Sequence, residues 1–166
     1  MIDKDILRDS YPYVTGMGFR KRSHMIFDEF QKDNPDKINK NGQVVFIKTD
    51  YVLEFFSKVL PLIDYQIKII THNSSYGIDS SYSKFLNNKK VIHWYAQNAN
   101  FEHKKLTSIP LGIANRRWPH GNIDVIDNIN KLDVERSHLV YMNFDVNTNL
   151  KERSVVYNNF IIFRCC

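Results

Sequence analysis

The sequence predicts a protein of the α/β class, a single domain with about five mostly parallel strands flanked by helices. From residue 44 onward, short apolar runs alternate with segments of helical periodicity, which favours a parallel sheet with right-handed crossovers. The length of 166 residues fits one domain of ordinary size. The composition, with 43% hydrophobic and 25% charged residues, is typical of a folded globular chain and excludes disorder as its main state.

Residues 1–43 are predicted to form an N-terminal extension that packs on the domain. Within this extension, residues 22–31 have the apolar spacing of a short helix. Such a helix would turn Met25, Ile26 and Phe30 inward.

Residues 44–160 are predicted to form the domain itself, and residues 161–166 an atypical tail. The first strand, 44–48, is a continuous apolar run, as burial on both faces requires. The helix after it, at 51–60, places four apolar side chains on one face, namely Val52, Phe55, Phe56 and Val59. The same criteria predict strands at 67–71, 91–95, 106–111 and 139–144, and helices at 80–86, 123–132 and 149–160.

Several protein classes are excluded by what the sequence lacks. Its apolar runs of about five residues are too short for a membrane span, and its first residues do not form a signal peptide. The only cysteines, Cys165 and Cys166, are adjacent, which favours a reducing, cytoplasmic location. The six histidines show no metal-ligand spacing, and no glycine-rich phosphate-binding motif occurs. We therefore expect no metal and no cofactor to be held by this chain.

Ligands of parallel sheets bind beyond the carboxyl ends of the strands. The predicted strands place four loops there, at 49–50, 72–77, 96–101 and 115–122. In the second loop, His72, Asn73 and Ser74 bring together an imidazole, an amide and a hydroxyl. These groups suit a hydroxyl-rich ligand, with His72 as a general base. The alternative is that Asn73 and Ser74 are turn residues and that His72 bonds a backbone carbonyl.

The segment 109–122 is the most distinctive part of the chain, because it joins a strand end to Arg116, Arg117, Trp118 and His120. Arginine suits phosphate or carboxylate, since its planar fork donates two parallel hydrogen bonds. Trp118 suits stacking on a sugar or a base. The alternative is an exposed, solvated loop anchored by a buried tryptophan.

Positive charge is concentrated between residues 84 and 117, where seven lysines and arginines face a single carboxylate, a net charge of +6. A basic face of this size favours an anionic partner, with nucleic acid among the candidates. No nucleic-acid motif accompanies it, so a solvated face is the alternative.

Six motifs occur in an order that resembles the N-terminal half of exostosin-like glycosyltransferases of microbes and large DNA viruses. They are VFIKTDY (45–51), ITHNS (70–74), HWYAQN (93–98), IPLGIAN (109–115), WPHGN (118–122) and NFDVNTN (143–149). The resemblance covers residues 25–160.

This resemblance implies a two-lobed enzyme of the GT-B type, with a Rossmann-like fold in each lobe and the active site in the cleft between them. The chain would then be the acceptor-side lobe, with His72 as candidate base and Asp50 as the runner-up. Contacts with a glycan acceptor would come from Asn73, Ser74, Asn98, Asn115, Arg116 and Trp118.

The family's second lobe holds the nucleotide-sugar donor and carries a Pro-Pro-Gly-type turn followed by an acidic residue and a His-Arg pair, none of which occurs here. We therefore expect a truncated protein, ended by a frameshift or premature stop, that is inactive unless a partner chain supplies a donor lobe. The alternative function is a non-enzymatic binding module whose basic face meets an anionic partner such as nucleic acid. Neither function involves a membrane.

Overall fold

The computed structural model of the chain describes residues 7–133, 135 and 144–160. The chain divides into two compact units, Met1–Ile129 and Asn130–Cys166. The first unit contains the sheet and is described first. None of the helices in the described ranges has the length and apolar character needed to cross a bilayer.

The first unit is built on a five-stranded, all-parallel sheet in which the strand order follows the chain order. The strands are β1 (Met25–Phe27), β2 (Gln43–Lys48), β3 (Ile67–His72), β4 (Val91–Gln97) and β5 (Leu106–Ile109). Helices flank this sheet, so the predicted α/β, Rossmann-like domain is confirmed. Because the strand order is sequential and parallel crossovers are right-handed, the four connections run over one face of the sheet.

A single cross-strand row of apolar side chains forms the centre of that face. The pairing places five residues side by side, one from each strand: Met25, Val45, Ile69, Trp94 and Leu106. The first four are fully buried, and Leu106, on the edge strand, is half-buried. The indole N–H of Trp94 donates to Thr71 Oγ1 at 2.9 Å, so the polar atom of this buried ring is satisfied.

The connection from β2 to β3 is a helical segment of mixed geometry. It consists of a 3-10 turn (Thr49–Tyr51), helix α2 (Val52–Glu54), a π-helical turn (Phe55–Val59) and a second 3-10 turn (Leu60–Leu62). The predicted inward face is confirmed, since Val52, Phe55, Phe56 and Val59 are all buried in the core. The connection from β3 to β4 is the predicted helical segment, a 3-10 turn (Ser80–Tyr82) followed by α3 (Ser83–Leu86).

The opposite face of the sheet is covered at its carboxyl end by α1 (Gly16–Lys21), which Thr15 caps through its side chain. The ring of Phe19 lies 5.4 Å from that of His72, the last residue of β3. Helices therefore lie on both faces of the sheet, as predicted, although the helix on this face precedes the sheet in the chain.

The predicted helix at 22–31 is wrong, because β1 (Met25–Phe27) occupies this stretch and pairs with β2. Met25 and Phe27 are buried while Ile26 between them is half-buried, which is the alternation of a strand. After β1 the chain turns at Asp28, whose carboxylate accepts from buried Arg20 at 2.6 Å and from the N–H groups of two following residues. The predicted extension 1–43 therefore supplies an edge strand of the sheet.

The strand predicted at 139–144 lies, except for Phe144, outside the described residues, as does the tail at 161–166. The predicted helix at 123–132 is confirmed as α4 (Ile123–Asn130). In the second unit, Asp145 caps a 3-10 turn (Val146–Asn149) that continues into α5 (Leu150–Phe160), close to the predicted 149–160.

Substitution of Phe56 tests the packing of the helical segment on the sheet. The Phe56 ring is 7% exposed and lies 4.4 Å from Phe85 and 5.5 Å from Trp94. We expect Phe56→Ala to lower the free energy of unfolding by about 3 kcal/mol, because it leaves a cavity in the core. Leu53→Ala, at a 60% exposed position of the same segment, should change it by about 0.5 kcal/mol or less. Chemical denaturation followed by circular dichroism measures both, and equal losses would contradict this packing.

Candidate functional site

A cleft of about 500 Å³ lies at the carboxyl edge of the sheet, where the end of β4 and the loops after β3 and β5 meet the start of α1. Its lining is rich in amides, hydroxyls and aromatic groups. The lining residues are Gly16, His72, Asn73, Ser74, Ser75, Gln97, Leu111, Ile113, Ala114, Asn115, Arg117, Trp118 and His120. The position agrees with the general rule for ligand sites in parallel sheets.

Asn73 adopts the left-handed backbone conformation, with φ 62°, which asparagine tolerates better than most residues. Its main-chain N–H lies 2.8 Å from His72 Nδ1 and 3.1 Å from Gln97 Oε1. The Gln97 amide in turn donates to the Ser74 carbonyl at 3.0 Å. The side chain at the end of β4 therefore holds the loop that follows β3.

A chain of amide hydrogen bonds crosses the floor of the cleft. The main-chain N–H of Met17 donates to Asn115 Oδ1 at 3.0 Å, and Asn115 Nδ2 donates to Asn73 Oδ1 at 3.0 Å. Because a main-chain N–H can only donate, this first bond sets the orientation of both side-chain amides. The Asn73 Nδ2 group is left without a hydrogen-bond partner among the described residues, and it is available to a ligand.

His72 is 1% exposed and has both ring nitrogens engaged. Nδ1 accepts from the Asn73 N–H, so the neutral ring carries its proton on Nε2, which donates to the Pro110 carbonyl at 3.2 Å. Burial lowers the pKa of His72, an effect that the hydrogen bond from Nε2 to the Pro110 carbonyl partly offsets. This geometry favours the alternative in which His72 bonds a backbone carbonyl. Its role as a base stays a prediction.

The segment before and into α1 forms a wall of the cleft that sequence reasoning missed. The Val14 carbonyl accepts from the Ile113 N–H at 3.0 Å, and a Cβ atom on Gly112, whose φ is +72°, would collide with that carbonyl. A Cβ atom on Gly16 would collide with Asn73 Oδ1. Gly16 and Gly112 act here by having no side chain, a role that no residue pattern in the sequence identifies.

The opposite wall is the loop that carries Trp118. The Trp118 N–H donates to the Asn115 carbonyl at 2.9 Å, and the Gly121 N–H donates to the Trp118 carbonyl at 2.8 Å. Trp118 is 48% exposed, and its ring stacks at 6.2 Å on that of His120. The predicted alternative of a buried, anchoring tryptophan is therefore wrong for this loop.

The cleft unites five of the eight predicted site residues, namely His72, Asn73, Ser74, Asn115 and Trp118. Asp50, Asn98 and Arg116 are not among its lining residues. Asp50 lies in the 3-10 turn that follows β2, with its carboxylate 3.9 Å from Lys48 Nζ. The Asn98 carbonyl accepts from the Ile78 N–H at 3.1 Å. Arg117, and not Arg116, lines the cleft.

Two lysines of the basic segment 84–117 use their ammonium groups in hydrogen bonds to main-chain carbonyls. Lys90 Nζ donates to the Pro61 carbonyl at 2.9 Å, and Lys105 Nζ to the Val91 carbonyl at 2.6 Å.

A second, more open hollow of about 760 Å³ lies beside β5, lined by residues 99–104, Leu106 and Ser108. Within the part of the chain that the structure describes, no group of three or more His, Cys, Asp or Glu side chains is arranged to hold a metal ion.

No protein-family model matches the chain, and no curated protein is significantly similar to it. The assignment of the cleft therefore depends on its geometry and chemistry.

Two glycines of α1 provide a matched test of the wall. We expect Gly16→Ala to lower the free energy of unfolding by about 2 kcal/mol, because its Cβ has no space beside Asn73 and His72. Gly18→Ala should be tolerated to within about 1 kcal/mol, since its Cβ would lie 3.3 Å from Thr15 Oγ1 and alanine favours helix. Thermal and chemical denaturation measure both. A Gly16→Ala protein as stable as the wild type would show that this wall is placed differently.

The burial of His72 predicts a dependence of stability on pH. Its pKa is lowered in the folded state, so the unfolded chain binds the proton more readily. The contribution is fully present above the unfolded-state pKa of about 6.5 and is lost as the pH falls through the folded-state pKa. We expect His72→Asn to reduce the difference in stability between pH 7.5 and pH 5, measured by denaturant titration. A difference that persists in His72→Asn would contradict the assignment.

Proposed function

We propose that the chain is a glycosyltransferase-like, acceptor-side lobe whose cleft binds a saccharide. The observation that carries the proposal is the half-exposed Trp118 ring beside an amide- and hydroxyl-lined cleft at the carboxyl edge of a parallel sheet. The motif order that resembles exostosin-like glycosyltransferases supports it, because five of the eight predicted residues line this one cleft.

A saccharide requires two kinds of surface at once. The C–H face of a sugar ring packs on aromatic surface, which Trp118 offers, and the hydroxyls require donors and acceptors. The free Nδ2 of Asn73 is a donor. The Ser74 hydroxyl accepts from the Tyr76 N–H at 3.1 Å and keeps its own proton to donate. Polar groups of this kind orient a ligand, while the ring supplies much of the contact area.

We propose binding, and not sugar transfer, as the activity of this cleft. Its lining contains no carboxylate, and both nitrogens of His72 are engaged within the protein. Sugar transfer requires a base on the acceptor hydroxyl and a bound donor. In this proposal the nucleotide-sugar donor is held by a second lobe, which a partner chain would supply.

Nucleic-acid binding by a basic face has less support. Lys90 and Lys105 donate their ammonium groups to main-chain carbonyls, and the cleft holds one arginine. Binding of this second kind depends steeply on salt, because it releases counterions from phosphates. Salt dependence therefore separates the two functions.

The two tryptophans allow a direct test of saccharide binding. Trp94 is fully buried and Trp118 is 48% exposed, so acrylamide quenches mainly Trp118, and a ligand in the cleft should protect it. A glycan array identifies the saccharides to titrate. We expect Trp118→Ala to weaken their binding, measured by calorimetry, at least tenfold, a loss of about 1.4 kcal/mol. Trp118→Phe, which keeps an aromatic ring, should retain most of the affinity.

Two results would refute this function. One is the absence of binding to every saccharide of the array. The other is tight binding of an oligonucleotide that falls steeply with salt and does not change in Trp118→Ala.

A further inference from the structure

The residues that line the cleft carry positive charge and no negative charge. Among its thirteen residues, Arg117 is the one with a fixed positive charge, and no aspartate or glutamate is present. His72, the buried imidazole of the lining, is held neutral. The cleft is therefore better suited to an anionic ligand than to a neutral or cationic one.

The guanidinium of Arg117 lies over two aromatic rings. Its central carbon lies 5.2 Å from the centre of the Trp118 ring and 5.6 Å from that of Phe30. Contacts of this kind use the faces of the guanidinium and leave its N–H groups at the edge free. Among the described residues, none of these N–H groups has a hydrogen-bond partner.

Arg20 and Arg22 illustrate the contrast. The guanidinium of Arg20 donates to Asp28 at 2.6 Å, and that of Arg22 donates to Asp9 at 3.2 Å and to the Gly18 carbonyl at 3.0 Å. Their donors are used within the fold. Arg117 combines a restrained position with unused donors, which is the arrangement that a binding group requires because less entropy is lost when the ligand binds.

We propose that the saccharide bound in this cleft carries an oxyanion, a phosphate or a carboxylate, and that Arg117 binds it through two parallel N–H donors. Trp118 then has two roles, since its ring orients Arg117 and its exposed surface packs on the sugar. The inference rests on the proposed function and deepens it by naming the class of saccharide. Phosphate and carboxylate both accept a bidentate arginine, so the test separates them.

The experiment is a titration of the full chain with matched saccharides. The neutral members are glucose, galactose and mannose, and the charged members are their 6-phosphates and their uronic acids. We expect one charged series to bind about tenfold more tightly than the neutral sugars, as a charge-assisted hydrogen-bonded pair does. Arg117→Gln should remove this preference, so that charged and neutral sugars bind with equal affinity. Arg116→Gln removes the same charge from the adjacent residue, which does not line the cleft, and should keep the preference.

The possible failures are distinguishable. Equal affinity for neutral and charged sugars overturns this inference and leaves saccharide binding intact. An equal loss in Arg116→Gln and Arg117→Gln also overturns it, because the preference would then come from the general positive field. Inorganic phosphate that binds as tightly as the sugar phosphates would show that the anion is not recognised as part of a saccharide. If no saccharide, neutral or charged, protects Trp118 or produces heat, the proposed function itself fails.

Discussion

A parallel sheet buries apolar side chains on both faces, so both faces need cover. In this chain the strand order is sequential, and right-handed crossovers run over one face, where Trp94 forms the centre of the core. The other face has to be covered by a segment that is not one of the crossover connections. The residues before β1 provide it, with Phe19 of α1 against His72 at the end of β3. The N-terminal segment is therefore an integral part of the domain.

The shape of the cleft follows from the same constraint. Once α1 covers the carboxyl end of β3, the residues that lead into it pass the loops at that edge of the sheet. Their main-chain atoms contact those loops, through the bond from Ile113 to Val14 and the bond from Met17 to Asn115. The chain of amides that continues to Asn73 polarises each successive bond. The segment that leads into and forms α1 thus both covers the sheet and forms a wall of the candidate site. A substitution in this segment therefore affects both.

Four strands, β2 to β5, and the helical segments between β2 and β4 are predictable from the sequence, because an apolar run or an apolar helix face is a local signal. β1 is not, since its three residues together with Phe30 imitate helical spacing, and pairing with β2 decides the outcome. In the candidate site, Asn73 is identified by the rule that ligands bind beyond the carboxyl ends of parallel strands. No pattern identifies Gly16, whose role is to have no side chain where Asn73 and His72 occupy the space. The choice between Arg116 and Arg117 depends on the path of the loop, which residue spacing does not reveal.

The π-helical turn (Phe55–Val59) contains one more residue than an α-helical turn of the same span. Phe55 and Phe56, the first two residues of this turn, are neighbours in the sequence and are both buried in the core. Each residue of an α-helix rotates the chain by about 100°. A one-residue deletion within this turn would change the rotation about the helix axis between Phe55 and Val59, so that the buried residues of the turn could not all keep their positions in the core. At this place in the chain the number of residues matters as well as their identity, so a deletion is harmful even at the exposed positions Ser57 and Lys58, where a substitution is not.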